Sequence, residues 1–456
     1  MKKTQFTRRT FFRATAASAL VASLAPNAPA AETTTLPPLQ QLPGLDVDVL
    51  VCGGGPSGMA AAVLAARQNA SVLLAERYGR LGGMAVNARV GPLMGRIKSK
   101  FVHEVLQHIG GRNVDPEKLD LQYAQLVHDA GADLLLHAWA LAPIMNDNAV
   151  QGAYLITKAG ILPVRAKITV DATGDGDVAF QADAPFEKGR PEDKLLQPMS
   201  IMFTLAGVDP QNALYCGSEE QAMQIQLPAG TWCDIVTRAN EAGRLPKNVG
   251  VVRLYRSARP GQAVVNATQV NYVDGADPRD LTRAELEGRK QAYQILDFLR
   301  DHGPGYENAY ISAMPACIGV RETRRFLGRE YLVKEDCLAG RKRDDAVVWN
   351  ADFVIDIHNP TGTGQANLHG TDATHGSAQR VKPYDIPYGC LVPRDTDGLL
   401  LAGRCISGSH EAHASYRVQC IAMATGAAAG AAAALAAQNH LQPKNVDVKA
   451  IQKILT

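Results

Sequence analysis

Gly53-Gly54-Gly55-Pro56-Ser57-Gly58, with Glu76 roughly twenty residues farther on, has the residue types and spacing to hold a dinucleotide. Gly53 permits a tight turn, Gly55 lets backbone approach a pyrophosphate, and Gly58 lets a helix pack closely on a strand. Pro56 and Ser57 fall where that helix begins, and its exposed N–H groups and dipole favour an anion there. Glu76 can accept hydrogen bonds from a ribose and would repel a 2′-phosphate.

A second set of residues can move protons and hold anions. In the stretch His410-Glu411-Ala412-His413-Ala414-Ser415-Tyr416-Arg417, His410 is a candidate proton acceptor or donor and Arg417 a candidate anion holder. His358 stands where an apolar run gives way to Asn359-Pro360. Arg321, Glu322, Arg324 and Arg325 form a charged knot after an apolar stretch. Glu322 can satisfy one arginine internally, and an arginine left over grips a carboxylate bidentately. Arg321 and Arg324 are the candidates for that role, and Tyr388 is a weaker one. His410 and His413 do not complete H-E-x-x-H, because Ala414 stands at the required position, so no zinc site is expected.

The elements that must position these groups are legible around them. Residues 47–52 read as a buried strand, 59–69 as an alanine-rich helix and 71–75 as a second strand ending at Glu76. A second glycine turn follows at once, with Arg77, Gly82, Gly83 and Met84. Residues 168–174 form another strand ending in Ala172-Thr173-Gly174. Near the C-terminus a strand enters the turn at Gly403-Arg404, and a long Ala/Gly helix runs on to about residue 438. Between them, strands at 251–255 and 264–270 and an amphipathic helix at 282–300, N-capped by Asp280 or Thr282, belong to a separate segment. No second strand–G-x-G-x-x-G–helix unit occurs, so a dedicated NAD(P)H domain is not expected.

These motifs together resemble the FAD-dependent oxidoreductases of the glutathione-reductase/fumarate-reductase superfamily, and more closely the bacterial FAD-dependent oxidoreductase family. The resemblance extends through Asp171-Ala172-Thr173-Gly174-Asp175-Gly176-Asp177, Gly319-Val320-Arg321-Glu322-Thr323-Arg324-Arg325, Ile355-Asp356-Ile357-His358 and Ala402-Gly403-Arg404-Cys405. It implies an α/β fold: a Rossmann-like, three-layer FAD-binding domain with a central parallel sheet and an inserted α+β substrate or cap domain. The expected boundaries are 45–204 and 386–440 for the two parts of the FAD domain, 205–385 for the cap and 441–456 for a tail. It also implies that the glycine turns, Arg77, Met84, the Ala172-Thr173-Gly174 turn and Arg404 contact FAD, and that His358 faces the reacting end. Residues 78–94 contain no histidine, so the flavin is expected to be non-covalent.

Thr7-Arg8-Arg9-Thr10-Phe11-Phe12-Arg13, the short apolar run after it and Ala28-Pro29-Ala30 read as a twin-arginine export signal over residues 1–30. The apolar run is far short of the ~20 residues that span a bilayer. That reading predicts a periplasmic protein with no stable membrane anchor, partnered transiently by the Tat machinery. FAD is made inside the cell, so folding around it before export would solve its supply. The formal net charge is +2, and removing residues 1–30 takes away five basic residues and no acids, leaving −3. A nucleic-acid partner has no electrostatic support. Eight cysteines lack haem or iron–sulfur spacing.

The expected function is flavin-dependent hydride transfer with a small organic, carboxylate-bearing substrate, in the direction of oxidation. Oxygen, a quinone or a redox protein would serve as separate electron acceptor or donor. The alternatives are fumarate-reductase-like reduction of an activated C=C bond and a flavin-bearing electron-transfer subunit.

Overall fold

The computed structural model describes residues 40–364 and 379–456, which belong to one compact unit. The expected signal segment lies outside the described residues. The first core is built on β1 (Leu45–Cys52), α1 (Pro56–Arg67), β2 (Val72–Glu76), β3 (Asp133–Leu136), β4 (Trp139–Asn146), β5 (Ala149–Thr157) and β6 (Gly160–Asp171). Strands β3, β2, β1 and β6 lie side by side and parallel. β6 is long enough to serve two neighbours. Its first half pairs antiparallel with β5, which pairs with β4, and its second half pairs parallel with the strand Leu399–Leu401. The result is a Rossmann-like α/β architecture with a mostly parallel central sheet, extended by an antiparallel meander. Parallel strands buried on both faces read as unbroken apolar runs, which is why 49–52 and 72–75 show no alternation.

The glycine turn between β1 and α1 works by close approach. A Cβ at Gly58 would sit 1.7 Å from the Gly53 carbonyl oxygen. On its other side α1 packs along the helix Gln419–Gln438, where a Cβ at Gly430 would sit 2.1 Å from the Ala61 carbonyl oxygen. By length and composition that helix could cross a membrane, but it is almost wholly buried here. Its alanines and glycines serve backbone-to-backbone packing against α1.

A second core has its own sheet, formed by β7 (Met202–Ala206), β8 (Arg253–Arg256), β9 (Gln262–Asn266) and β10 (Tyr310–Ala313) in the order β8-β9-β7-β10. The 25-residue helix α2 (Pro278–His302) packs on it. The N-cap of α2 is Asp277, whose carboxylate accepts from the N–H groups of Arg279 and Asp280. The expected caps at 280 or 282 fall inside the helix, because Pro278 is compatible with the first helical position and lets it begin earlier.

Residues of this second core run from Met199 to Val320, and Phe326, Leu332, Val347, Val348, Tyr384 and Ile386 bury in the first. The expected cap segment 205–385 thus divides between the two cores. Its latter part is drawn back because Ala346–Asp352 pairs with Tyr384–Pro387 and with Arg96–Lys98, a strand from the first half of the chain.

If the α1 contact sets the packing distance, Gly430→Ala should destabilise the protein by about 1–3 kcal/mol, the usual cost of overpacking. Helix propensity alone would make the same change stabilising by ~1 kcal/mol. Thermal unfolding decides between the two signs.

Candidate active site

A cleft of about 1210 Å³, including its open mouth, runs between the two cores. At one end Gly53, Gly55, Pro56 and Ser57 line it beside the N-terminus of α1. Gly55 is the N-cap residue and offers no side-chain cap, and a Cβ there would meet only the Gly83 Cα at 3.8 Å. Bare backbone therefore faces the cleft at the positive end of a helix, as a pyrophosphate requires. Gly83 and Met84 of the second glycine turn line the same end. Gly58 and Gly82 stand behind the wall, Gly58 under the α1 turn and Gly82 donating its N–H to the Gly54 carbonyl. These residues fit a dinucleotide.

Glu76 is buried at the tip of β2 and lines the cleft. Its two oxygens accept from the N–H groups of Gly54 (2.6 Å) and Tyr78 (2.8 Å), so it holds the glycine turn in shape. Burial raises its carboxyl above the usual range, against those two hydrogen bonds. Arg77 lies over the rings of Tyr78 and Trp139.

Beside the first glycine turn, Ala172, Thr173 and Gly174 line the cleft where β6 ends. Asp171 shapes this turn by accepting from the Thr173 hydroxyl at 2.7 Å and the Ala179 N–H at 2.9 Å. Arg404, beside Gly403, ties three segments together. It pairs with Asp175 at 2.6 Å, donates to the Gly174 carbonyl and reaches the Val320 carbonyl.

The far end of the cleft is polar. Arg321, Asp356, His358 and Arg417 meet there with Ser200, Met202 and Asn266. Arg417 donates to the Asp356 backbone oxygen at 2.9 Å and pairs with its carboxylate at 3.1 Å. Burial works against the Asp356 charge, but His358, Arg417 and Arg321 outweigh it and hold the carboxyl well below the usual range. His358 Nε2 stands 3.6 Å from that carboxylate, beyond hydrogen-bond distance. Burial and then Arg321 pull the imidazole down to about 3, against Asp356, so His358 is neutral at physiological pH. Arg321 donates to the Pro198 carbonyl at 2.6 Å and the Ser200 hydroxyl at 2.8 Å, both uncharged. Among the described residues no carboxylate lies within ion-pair distance of it. Burial and the neighbouring Arg417 push its guanidinium down to about 9. Among the described residues the far end thus brings together the guanidinium groups of Arg321 and Arg417 and the carboxylate of Asp356.

Three expected residues stand elsewhere. His410 is buried behind the wall, its Nδ1 2.9 Å from Glu322, which also pairs with Arg325 and accepts from the Gln197 N–H. It lies there because Ser409 caps a short helix at His410–Tyr416 that turns it inward. Arg324 lies over the Phe180 ring at 3.9 Å and pairs with Asp177 at 3.2 Å, away from the cleft lining. Strand pairing of Arg324–Phe326 with Phe186–Lys188 sends it to that side. Tyr388 donates to the Pro443 carbonyl, also off the cleft. His413 is fully buried, and neither ring nitrogen has a partner among the described residues.

Sequence reasoning singled out none of Ser200, Asn266 and Gln197 and gave Asp356 no role. Gln197 Oε1 accepts from the His358 backbone N–H, and Arg417 Nη2 reaches it at 3.5 Å. For Asp356 the signal was its place two residues before His358. The others are common polar residues in unremarkable contexts.

A model of the FAD dependent oxidoreductase family matches residues 48–455. A thiamine thiazole synthase from Methanococcus aeolicus is 31% identical over 153 residues, which cover 30% of this chain and 58% of that protein. A digeranylgeranylglycerophospholipid reductase from Methanospirillum hungatei is 32% identical over 156 residues, 28% of this chain and 38% of that one. The chain thus spans between about two fifths and three fifths of the length of these curated relatives. Among solved structures, a geranylgeranyl bacteriochlorophyll reductase-like protein from Thermoplasma acidophilum aligns over 90% of this chain and 83% of its own, with 16% identity and a TM-score of 0.46.

A histidine held neutral by its surroundings disfavours the folded state wherever it is protonated when unfolded. The His358 contribution to stability is complete above its ordinary value of 6.5 and is lost progressively as pH falls towards 3. His413, lowered by burial, acts in the same direction. Asp177, whose carboxyl burial raises to about 6, works in the opposite sense, so the check is the difference: His358→Gln should make thermal midpoints fall less between pH 6.5 and 4 than in the parent.

Proposed function

Because the chain belongs to the FAD dependent oxidoreductase family, we propose that it binds FAD non-covalently in this cleft and oxidises a small organic acid at the far end. The observation that carries this reading is Arg321, a cleft-lining guanidinium with only neutral partners among the described residues. Such a group favours an anionic ligand, and a carboxylate matches its planar fork. When bound, FAD would supply the redox chemistry.

The remaining work falls to side chains. Arg321 holds the carboxylate, and the Ser200 hydroxyl and Pro198 carbonyl fix the guanidinium so that little rotamer freedom is lost on binding. His358, unprotonated, takes the proton released from the substrate O–H or N–H. Asp356, 3.6 Å from His358 Nε2, stabilises the imidazolium that forms. Arg417 keeps Asp356 ionised and in place. A neutral His358 can accept a proton, as oxidation of the substrate requires. An electron-transfer subunit would have little use for an enclosed, charged far end.

Anaerobic flavin bleaching by a panel of hydroxy and amino acids tests this reading. Arg321→Gln should raise KM for the responding acid at least about tenfold with flavin content unchanged, and His358→Gln should lower kcat about 10²-fold or more. A panel in which neutral alcohols and amines bleach the flavin and no acid does would defeat the carboxylate assignment.

The protein is also proposed to be exported folded, by the twin-arginine route, to the periplasm, where a separate acceptor such as oxygen, a quinone or a redox protein reoxidises it. The support is the Arg8-Arg9 leader joined to a fold that must capture FAD before crossing. Replacing both arginines by lysine should leave flavin-loaded protein in the cytoplasm. Unchanged periplasmic yield would remove the assignment.

A further inference from the structure

Three groups at the far end of the cleft are held from one short stretch, residues 197–200. The Pro198 carbonyl and the Ser200 hydroxyl accept from Arg321. Just before them, the Gln197 side-chain oxygen accepts from the His358 backbone N–H at 3.2 Å, and Arg417 Nη2 reaches it at 3.5 Å. Both neighbours are donors, so the oxygen of the carboxamide faces them and the nitrogen faces away. The anion holder and the proton acceptor thus share one support, although they come from different parts of the chain.

That support has little freedom. Met199 and Val270 exchange both backbone hydrogen bonds, at 3.0 and 2.9 Å, and Ser200 and Gly319 do the same at 3.2 and 2.8 Å. The Ser200 hydroxyl donates to the Thr268 carbonyl at 2.6 Å. At its start the Gln197 N–H donates to Glu322 at 3.2 Å, and Glu322 is paired with Arg325 and His410. Gln197 is 1% exposed, so bulk solvent does not compete for its oxygen. Its side-chain nitrogen is buried and meets no acceptor among the described residues. An apolar side chain of similar size would leave no such nitrogen unpaired, so packing by itself does not account for a glutamine here. What the glutamine supplies is the oxygen.

We propose that Gln197 is a positioning residue: its side-chain oxygen fixes the His358 segment and the Arg417 guanidinium relative to Arg321, so that an acid held at Arg321 presents its neighbouring O–H or N–H to His358. This rests on the reading of Arg321 as anion holder and His358 as proton acceptor. It adds the residue that keeps the two in register. Asp356, gripped by Arg417 through its carboxylate and its backbone oxygen, is held in the same register.

The test uses the flavin-loaded protein. Lactate, malate, alanine and glutamate serve as reductants in anaerobic bleaching, and propionate serves as a carboxylate with no alcohol or amine to oxidise. Gln197→Leu should lower the limiting bleaching rate about tenfold or more, because a small misplacement of the acceptor is costly. Propionate affinity, read by flavin absorbance, should stay within about threefold of the parent, since Arg321 keeps its own partners. Gln197→Glu returns an oxygen to the same place and should recover the rate to within about threefold. Its added negative charge favours the imidazolium, so the acid limb of the pH–rate profile should move to higher pH. Flavin content and thermal midpoint establish that each variant folds. If Gln197→Leu does not hold flavin, Gln197→Asn, which withdraws the oxygen by one methylene, carries the same expectation. The proposal is overturned by Gln197→Leu at the parent rate, by propionate affinity that falls as far as the rate, or by a glutamate variant that neither recovers the rate nor shifts the profile. Each of those results leaves the His358 assignment standing. If no acid bleaches the parent, or His358→Gln bleaches as fast as the parent, the reading of Arg321 and His358 fails and the role of Gln197 fails with it.

Discussion

Close contact between backbones at the start of α1 sets the geometry on which the site depends. With no Cβ at Gly58, the helix begins against the last residues of β1, and with none at Gly430 the buried C-terminal helix seats on the other side of α1. Van der Waals contact falls off within an ångström, so this arrangement has little room to adjust. It aims the first turn of α1 into the cleft and leaves the Gly55 backbone bare there. The rigid end of the cleft is thus made of main chain.

The other end is made of side chains brought from far apart in sequence, and its order comes from charge. Asp356 is held by Arg417, while Glu322 is held by Arg325 and His410 one layer behind. Gln197 links the two groups, accepting from the His358 N–H through its side chain and donating its own N–H to Glu322. Buried carboxylates without such partners would cost several kcal/mol each. Within this lattice each carboxylate has an arginine, and Arg321 is the cation that meets only dipoles. An anion in the cleft would complete the pattern, which is why the proposed chemistry centres there.

The glycine turn, Glu76, the Ala172-Thr173-Gly174 turn and the alanine-rich helix were legible because each has a local mechanical requirement: a helix start that tolerates no side chain, or a strand buried on both faces. The catalytic candidates were less so. His410 and Arg324 sit in segments of the right character but on the wrong side of their elements. A helix of seven residues and a strand of three do not announce which face they bury. Ser200 and Asn266 carry no local signal at all. They matter because β7 and β9 run past the mouth of a domain formed by other parts of the chain.

The sequence by itself determined the glycine turn that fits a dinucleotide, since that depends on backbone conformation and on a spacing within one strand–turn–helix unit. Only the tertiary structure decided which of the histidines and arginines share a cavity, and which lack a counter-charge. Those properties depend on distances between groups 61 to 220 positions apart. Such distances are fixed by how two sheets face one another, which no short run of residues encodes.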